Sequence, residues 1–238
     1  NSAPTLHDVS FTLSAGSITL VVGESGSGKT TLACAVTRLF TRPERYRWSG
    51  TSVLQGTDLL RLSDDALREV RRSVVRYIFQ EPAETFAPLL RIGSSIRDAL
   101  GAEWGAEKIC SLLERVGLPE PGRILQSYPH ELSGGMLQRV AIAIAVATEP
   151  AVLIADEPTS ALDAPLKWQI VDLIKTLHDE GHGASLIVTH DPGLVDAIAD
   201  RLIVLFGGQI VEHTDRNTEP HHPYTRQLLG KEAAKSIH

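Results

Sequence analysis

One short stretch of the chain indicates its fold, Gly23-Glu24-Ser25-Gly26-Ser27-Gly28-Lys29-Thr30. It matches the pattern G-x-x-x-x-G-K-[ST], and it lies between an apolar run, Ile18–Val22, and a helical pattern from Lys29 to about Phe40. These flanks predict a strand before the loop and a helix after it, which is the setting that the pattern needs. The glycines let the backbone curl so that N–H groups and the helix N-terminus face phosphate oxygens. The stretch therefore predicts a phosphate-binding loop in an α/β fold.

Apolar runs and helical patterns alternate along most of the chain, which is typical of a largely parallel sheet. Between about 84 and 148 the pattern is helical without a convincing strand. We therefore expect one domain over 1–238, with a core over about 1–83 and 149–213, a helical subdomain over about 84–148 and a tail over 214–238. The other predicted strands are Val74–Phe79, Ala151–Ala155, Ala184–Val188, Arg201–Phe206 and Gln209–Glu212. The other predicted helices are Ile96–Leu100, Ala106–Val116 and Gly135–Thr148, and the tail ends in a short amphipathic segment, Tyr224–Leu229.

Composition excludes several classes of protein. The chain has 238 residues, of which 42% are hydrophobic and 22% are charged, and this is ordinary usage for a globular domain. Its net charge is -6, with no long basic run, so we expect no nucleic-acid partner. Two cysteines are too few to indicate a disulfide framework. The most apolar run, Val140–Thr148, is much shorter than the roughly 20 residues of a membrane-spanning helix.

Two adjacent carboxylates follow a second apolar strand. Asp156 and Glu157 come at the end of the run Val152–Ala155, and the carboxyl ends of parallel strands are where open α/β sheets bind ligands. Next to a phosphate loop, Asp156 is a candidate Mg²⁺ ligand and Glu157 a candidate general base for an attacking water. Alone, the pair would equally well be a solvated acidic turn.

A further phosphate-facing element stands at Leu132–Arg139, where Ser133 is a good N-cap for the helix that follows. A helix N-terminus with a serine and two glycines is an anion site. The loop at Gly23–Thr30 is already predicted to bind one phosphate chain. The simplest hypothesis is therefore that this second element contacts nucleotide bound to another subunit. In isolation it would be a plain helix cap.

Several ordered motifs together resemble those of ATP-binding cassette (ABC) ATPases. The string Leu132–Met136 resembles the LSGGQ signature, and Ser133 stands 23 residues before Asp156, as in that family. Gln80 resembles the Q-loop glutamine, and His190, which is 33 residues after Glu157, resembles the switch histidine. The string that resembles the D-loop is Ser160-Ala161-Leu162-Asp163.

The resemblance implies a P-loop NTPase core of the RecA-like type, with a mainly parallel sheet, an N-terminal antiparallel β region and an inserted helical subdomain. It implies hydrolysis of ATP with Mg²⁺ between two chains that pair head to tail. The implied ATP-binding residues are Gly23, Glu24, Ser25, Gly26, Ser27, Gly28, Lys29, Thr30 and Thr31. The implied catalytic residues are Glu157, His190 and Gln80. The implied Mg²⁺ ligands are Thr30, Gln80 and Asp156. The implied signature residues, acting on the partner's ATP, are Ser133, Gly134, Gly135 and Met136.

A narrower resemblance points to the ATPases of oligopeptide, dipeptide and nickel importers. It rests on Phe79-Gln80-Glu81-Pro82, Phe86-Ala87-Pro88, Tyr128-Pro129 and His222-Pro223-Tyr224-Thr225. It implies an identical or paralogous ATPase partner, two membrane permeases, indirectly an extracytoplasmic substrate-binding protein, and a peripheral place on the cytoplasmic face of a bacterial membrane. The family's adenine-stacking aromatic residue is expected upstream of Asn1, where the chain starts.

Other classes remain open at this point. An ABC exporter ATPase is the nearest rival, because the importer strings are short. A soluble ABC protein acting on DNA or ribosomes is disfavoured, since the chain has no room for a long coiled coil and holds one cassette. A P-loop GTPase is disfavoured because the sequence contains no N-K-x-D motif and because Ser133–Gly135 would go unexplained.

Overall fold

The computed structural model of the chain describes residues 5–40, 42–101, 103–160, 162–181 and 183–230. A six-stranded sheet lies at the centre, in the order β4-β5-β6-β1-β7-β8. Its strands are β1 (Ile18–Val22), β4 (Val75–Ile78), β5 (Val152–Asp156), β6 (Ala184–Val188), β7 (Arg201–Phe206) and β8 (Gln209–Asp215). Five of these strands run parallel, and β8 pairs antiparallel with β7. A separate antiparallel pair comprises β2 (Val53–Leu54) and β3 (Thr57–Asp58). The predicted α/β fold with a mainly parallel sheet is confirmed.

The described chain also contains ten α-helices. They are α1 (Lys29–Ala35), α2 (Asp64–Ser73), α3 (Pro82–Thr85), α4 (Ile92–Leu100), α5 (Ala106–Arg115), α6 (Pro121–Gln126), α7 (Gly134–Val146), α8 (Ala164–Gly181), α9 (Gly193–Ile198) and α10 (Pro223–Leu228). Short 3-10 helices cover Pro43–Arg45, Leu59–Arg61 and Pro129–Glu131. Five of the α-helices, α3 to α7, lie in sequence between β4 and β5, where the helical block was expected.

The central strands of the sheet are buried on both faces, as is usual for parallel strands covered by helices. Every residue of β1 is buried, and alternate residues belong to two different apolar clusters. Leu20 and Val22 pack with the cluster that includes α4 to α7, whereas Val21 packs with the one that includes α1 and α2. The central strands are therefore continuously apolar in sequence, because neither of their faces meets water.

The helix after the phosphate loop is shorter than predicted. It ends at Ala35 rather than near Phe40, because Arg38 takes a left-handed backbone with φ of 52°. The Leu39 N–H then reaches back to the carbonyl of Cys34, at 2.8 Å, which closes the helix. The predicted turn between β7 and β8 is confirmed, since Gly207 and Gly208 both have positive φ, as a tight hairpin needs.

Candidate functional site

The predicted site residues come from the carboxyl ends of adjacent parallel strands. The phosphate loop follows β1, Glu157 follows β5, His190 follows β6 and Gln80 follows β4. Since these strands are parallel neighbours in one sheet, their carboxyl ends meet at the same edge. Residues more than a hundred positions apart in sequence are therefore brought to one edge by the strand order.

The phosphate loop passes so close to β7 that only glycine fits at its start. A Cβ on Gly23 would lie 2.2 Å from the carbonyl oxygen of Leu205. Gly28, the N-cap of α1, has a left-handed φ of 103°, which favours glycine. The hydroxyl of Ser27 is buried and has no hydrogen-bond partner among the described residues, so it is available as a donor to a phosphate oxygen.

Lys29 lies over this loop. Its Nζ donates to the carbonyls of Gly23, at 2.8 Å, and of Glu24, at 2.9 Å. Burial lowers the pKa of Lys29 below its usual value, and the carboxylates of Glu157 and Asp156 act in the opposite direction. A partly desolvated ammonium group is stabilised by a hydrogen bond to a phosphate oxygen.

Oxygen donors suited to Mg²⁺ stand beside Lys29. The Thr30 hydroxyl donates to Asp156 Oδ1 at 3.2 Å. The pKa of Asp156 is raised, first by burial and also by Glu157, against the lowering effects of the Thr30 hydrogen bond and of Lys29. Mg²⁺ prefers carboxylate and hydroxyl oxygens together with phosphate, so the donor set fits this ion. A cation here would also relieve the burial penalty on the Asp156 carboxylate.

Glu157 and His190 form a pair at the same edge. His190 Nδ1 lies 2.8 Å from Glu157 Oε2. The Glu157 side chain is 12% exposed and that of His190 is 63% exposed, so the carboxylate is largely enclosed while the ring faces outward. Glu157 has a left-handed φ of 48°, and its N–H donates to the carbonyl of Val188 at 2.9 Å. The backbone thus fixes the carboxylate against β6, and the ring orients it.

Gln80 and the D-loop lie at the margin of this cluster. Gln80 is exposed just beyond β4 and makes no hydrogen bond to any residue that the structure describes. Ser160 donates to the carbonyl of Glu157 from both its N–H, at 3.2 Å, and its hydroxyl, at 3.1 Å. Asp163 caps α8 by accepting from the Leu166 N–H at 3.1 Å. Ala161 lies outside the described residues.

The signature element is a capped and exposed helix end. Ser133 Oγ accepts from the Met136 N–H at 3.2 Å, and Ser133 and Gly134 are exposed. Gly135 is buried against α8, since a Cβ there would lie 2.4 Å from Leu166 Cδ2. Met136 is half-buried against the larger apolar cluster. Within the described chain, no hydrogen bond links this element to the loop at Gly23–Thr30.

The structure adds two contacts that sequence reasoning missed. Lys167 on α8 forms a salt bridge with Asp191, which follows His190 directly and so helps to fix that segment. Tyr224 on α10 accepts a hydrogen bond from the backbone N–H of Glu24 at 2.9 Å. In the sequence, the string around Tyr224 marks only a family resemblance, and nothing in a single sequence signals that it contacts a loop 200 residues away.

Comparison with known proteins gives consistent matches. Residues 6–160 match the family model described as ABC transporter. The oligopeptide transport ATP-binding protein OppD of Lactococcus lactis subsp. cremoris is 40% identical, covering 94% of this chain and 69% of that protein. OppD of Bacillus subtilis is 39% identical, covering 94% of this chain and 65% of that protein.

Solved structures match as well. The ATP-binding cassette MJ0796, in a dimeric post-hydrolysis state bound to ADP and phosphate, superposes with a TM-score of 0.78. It is 30% identical, over 90% of this chain and 92% of that one. Among the described residues, no helix combines the length and the apolarity that crossing a bilayer requires.

Proposed function

Because the chain belongs to the ABC transporter family of ATPases, we propose that it is the subunit whose ATP hydrolysis powers import of peptides, nickel or metal chelates. The observation that carries the proposal is the convergence of Lys29, Asp156, Glu157 and His190 at one edge of the sheet. The names of the relatives, oligopeptide transport ATP-binding proteins, support import of peptides in particular.

Each residue at the edge has a part in hydrolysis. The loop from Gly23 to Thr31, with Lys29, binds the phosphates of ATP. Thr30 and Asp156, and Gln80 on its exposed segment, would hold Mg²⁺, which supplies charge neutralisation at the β- and γ-phosphates. Glu157 accepts a proton from a water molecule as the oxygen of that water attacks the γ-phosphorus. The bond between the γ-phosphorus and the β–γ bridging oxygen breaks, and ADP leaves. His190 orients that carboxylate through its 2.8 Å contact.

The second half of the site comes from another chain. We place ATP between the loop of one chain and Ser133, Gly134, Gly135 and Met136 of its partner, with the D-loop Ser160–Asp163 beside the interface. The exposed cap at Ser133 supports this arrangement, since its helix end is open to an anion. The solved cassette MJ0796 is dimeric, which is consistent with pairing of this kind. The partner is an identical or a paralogous ATPase.

Membrane subunits complete the assembly. We propose that the helical block over about 84–148 is a subdomain and that the segment Glu81–Arg97 docks on two permeases at the cytoplasmic face of a bacterial membrane. Exposed apolar side chains on this segment support docking, since Leu89 is 86% exposed. An extracytoplasmic binding protein delivers cargo to the permeases, and no nucleic acid takes part.

Sedimentation of wild type and Glu157→Gln, each with and without Mg-ATP, tests this function. We expect Glu157→Gln to hydrolyse ATP at least about 100-fold more slowly, because it lacks the general base. It should form a dimer only with Mg-ATP, because ATP binds but is not consumed. Glu107→Gln, the same change on an exposed residue of α5, is the control and should behave as wild type. Undiminished hydrolysis would refute the role of Glu157.

A monomer that still binds ATP would instead exclude self-pairing and point to a paralogous partner. To identify the cargo, uptake of a labelled tripeptide and of labelled nickel is measured in cells of the source organism that carry the Glu157→Gln variant. Loss of peptide uptake alone supports a peptide importer, and loss of nickel uptake alone supports a metal importer. Unchanged uptake of both would refute import of either cargo.

A further inference from the structure

The C-terminal helix is anchored to the sheet by a chain of hydrogen bonds. Glu212 on β8 accepts from the N–H groups of His221, at 2.7 Å, and His222, at 3.3 Å. His222 Nδ1 then accepts from the N–H of Tyr224, at 3.2 Å, and so caps α10. These contacts fix the first turn of α10 on β8, the strand that forms a hairpin with β7.

The anchored helix places one side chain on the phosphate loop. The half-buried ring of Tyr224 packs against Phe206, with centroids 4.6 Å apart. Its hydroxyl accepts from the Glu24 N–H at 2.9 Å. The same hairpin holds the loop at a second point, since the Gly208 N–H donates to the carbonyl of Ser27 at 3.0 Å.

The Tyr224 contact has a direct connection to Lys29. The Gly23 carbonyl and the Glu24 N–H belong to one peptide group, and Lys29 Nζ donates to that carbonyl at 2.8 Å. Tyr224 and Lys29 therefore hold opposite ends of a single peptide plane. If the plane rotates, both hydrogen bonds break, and the ammonium loses the carbonyl that positions it.

We propose that Tyr224 is a positioning residue for ATP binding, whose hydroxyl fixes the Gly23–Glu24 peptide and through it Lys29. This inference rests on the proposed ATP site and gives the His222–Thr225 string a function. Glu24 is exposed, so its N–H can donate to water when the tyrosine hydroxyl is removed. Removal therefore makes the loop more mobile without leaving a buried donor unpaired. In this role Tyr224 acts through the Gly23–Glu24 peptide and Lys29.

The variant Tyr224→Phe tests the proposal, because it keeps the ring and removes the hydroxyl. One lost hydrogen bond corresponds to an increase in KM for ATP of about 2- to 10-fold. We expect kcat to change less than KM, because Lys29 contacts the phosphates in the ground state as well as in the transition state. Hydrogen exchange of the Glu24 amide, followed by mass spectrometry of the loop peptide, should be faster than in wild type.

The control is Tyr46→Phe, the same change at an exposed tyrosine outside the site, which should alter neither KM nor exchange. A second variant, Glu212→Ala, should loosen α10 and raise KM through the same contact. Adding Tyr224→Phe to it should then raise KM little further, since coupled residues are non-additive.

Unchanged KM and exchange in Tyr224→Phe, or additive effects in the double variant, would overturn the proposal. A fall in kcat with unchanged KM would overturn it as well, because the hydroxyl would then act on a later step. These results are separate from failure of the ATP site itself, in which wild type would neither bind nor hydrolyse Mg-ATP.

Discussion

At the scale of single residues, two neighbouring carboxylates have different surroundings. Asp156 is the last residue of β5 and is held by Thr30, whereas Glu157 turns away with a left-handed backbone. That conformation costs a non-glycine residue about 1 kcal/mol or more, and such strain is typical of functional positions. The Val188 carbonyl and the Ser160 hydroxyl hold the Glu157 backbone in place. The two adjacent acids therefore have different partners, since Asp156 contacts Thr30 and Glu157 contacts His190.

Asp156→Asn should make the fold more stable while it abolishes hydrolysis. Burial raises the pKa of Asp156 above its unfolded value of 3.8, so the folded protein binds this proton more tightly than the unfolded chain. At a pH above both pKa values the group is ionised in both states, and its charge then destabilises the fold relative to the protonated carboxyl. The amide removes that penalty, so thermal unfolding without nucleotide should show a higher midpoint for the variant.

The sign of the pH dependence follows from the same shift. As the pH falls through the folded pKa of Asp156, the carboxyl takes up a proton, so the advantage of Asp156→Asn should narrow. Asp172→Asn, on an exposed position of α8, is the control and should leave the midpoint unchanged. An Asp156→Asn midpoint at or below that of wild type near pH 7 would show that the Thr30 and Lys29 contacts outweigh burial.

At the scale of elements, the signature helix and α2 offer a matched comparison. Both helices begin with a serine cap, Ser133 accepting from Met136 N–H at 3.2 Å and Ser63 from Ala66 N–H at 3.3 Å. Ser133 and Gly134 face solvent at an N-terminus that we assign to the partner's ATP. The cap of α2 has no such assignment, so the two positions separate capping from nucleotide binding.

Ser133→Ala and Ser63→Ala should each lower the free energy of unfolding by about 1 kcal/mol, because each removes one helix cap. Only Ser133→Ala should also weaken dimer formation, measured by sedimentation in the Glu157→Gln background with Mg-ATP. Equal dimerisation of the two variants would mean that the Ser133 hydroxyl serves its own helix alone.

The elements also show what a single sequence can predict. The central strands were located to within about one residue, because runs buried on both faces are continuously apolar. The end of α1 was missed because it depends on tertiary contacts of Arg38, whose guanidinium donates to the carbonyl of Leu62 at 2.6 Å. The contact of Tyr224 with Glu24 could not be predicted for the same reason. Motif spacing predicts the candidate site residues, but not the side chains that position them.

At the scale of the whole molecule, the two halves of the proposed site belong to separate parts of one chain. Lys29 lies at the carboxyl edge of the sheet, whereas Ser133 begins a helix of the block between β4 and β5. In a head-to-tail pair, each ATP site would take its loop from one chain and its signature from the other. A substitution in either half should therefore inactivate the protein, and mixing two variants with substitutions in different halves should restore activity.

Lys29→Ala and Ser133→Arg should each be inactive alone. Lys29→Ala should bind phosphate poorly, whereas the bulky cation of Ser133→Arg should block the partner's ATP. In a mixed pair, one site carries both substitutions and the other carries neither, so mixing should restore hydrolysis above the mean of the two separate preparations. Phosphate release across a titration of one variant into the other measures this, with Lys29→Ala mixed into Glu157→Gln as the control. These two substitutions act in the same half of the site, so each site of that mixed pair still carries one of them and no activity returns. Restoration by mixing requires a shared site, whereas its absence would place each ATP site within one chain or require a different partner.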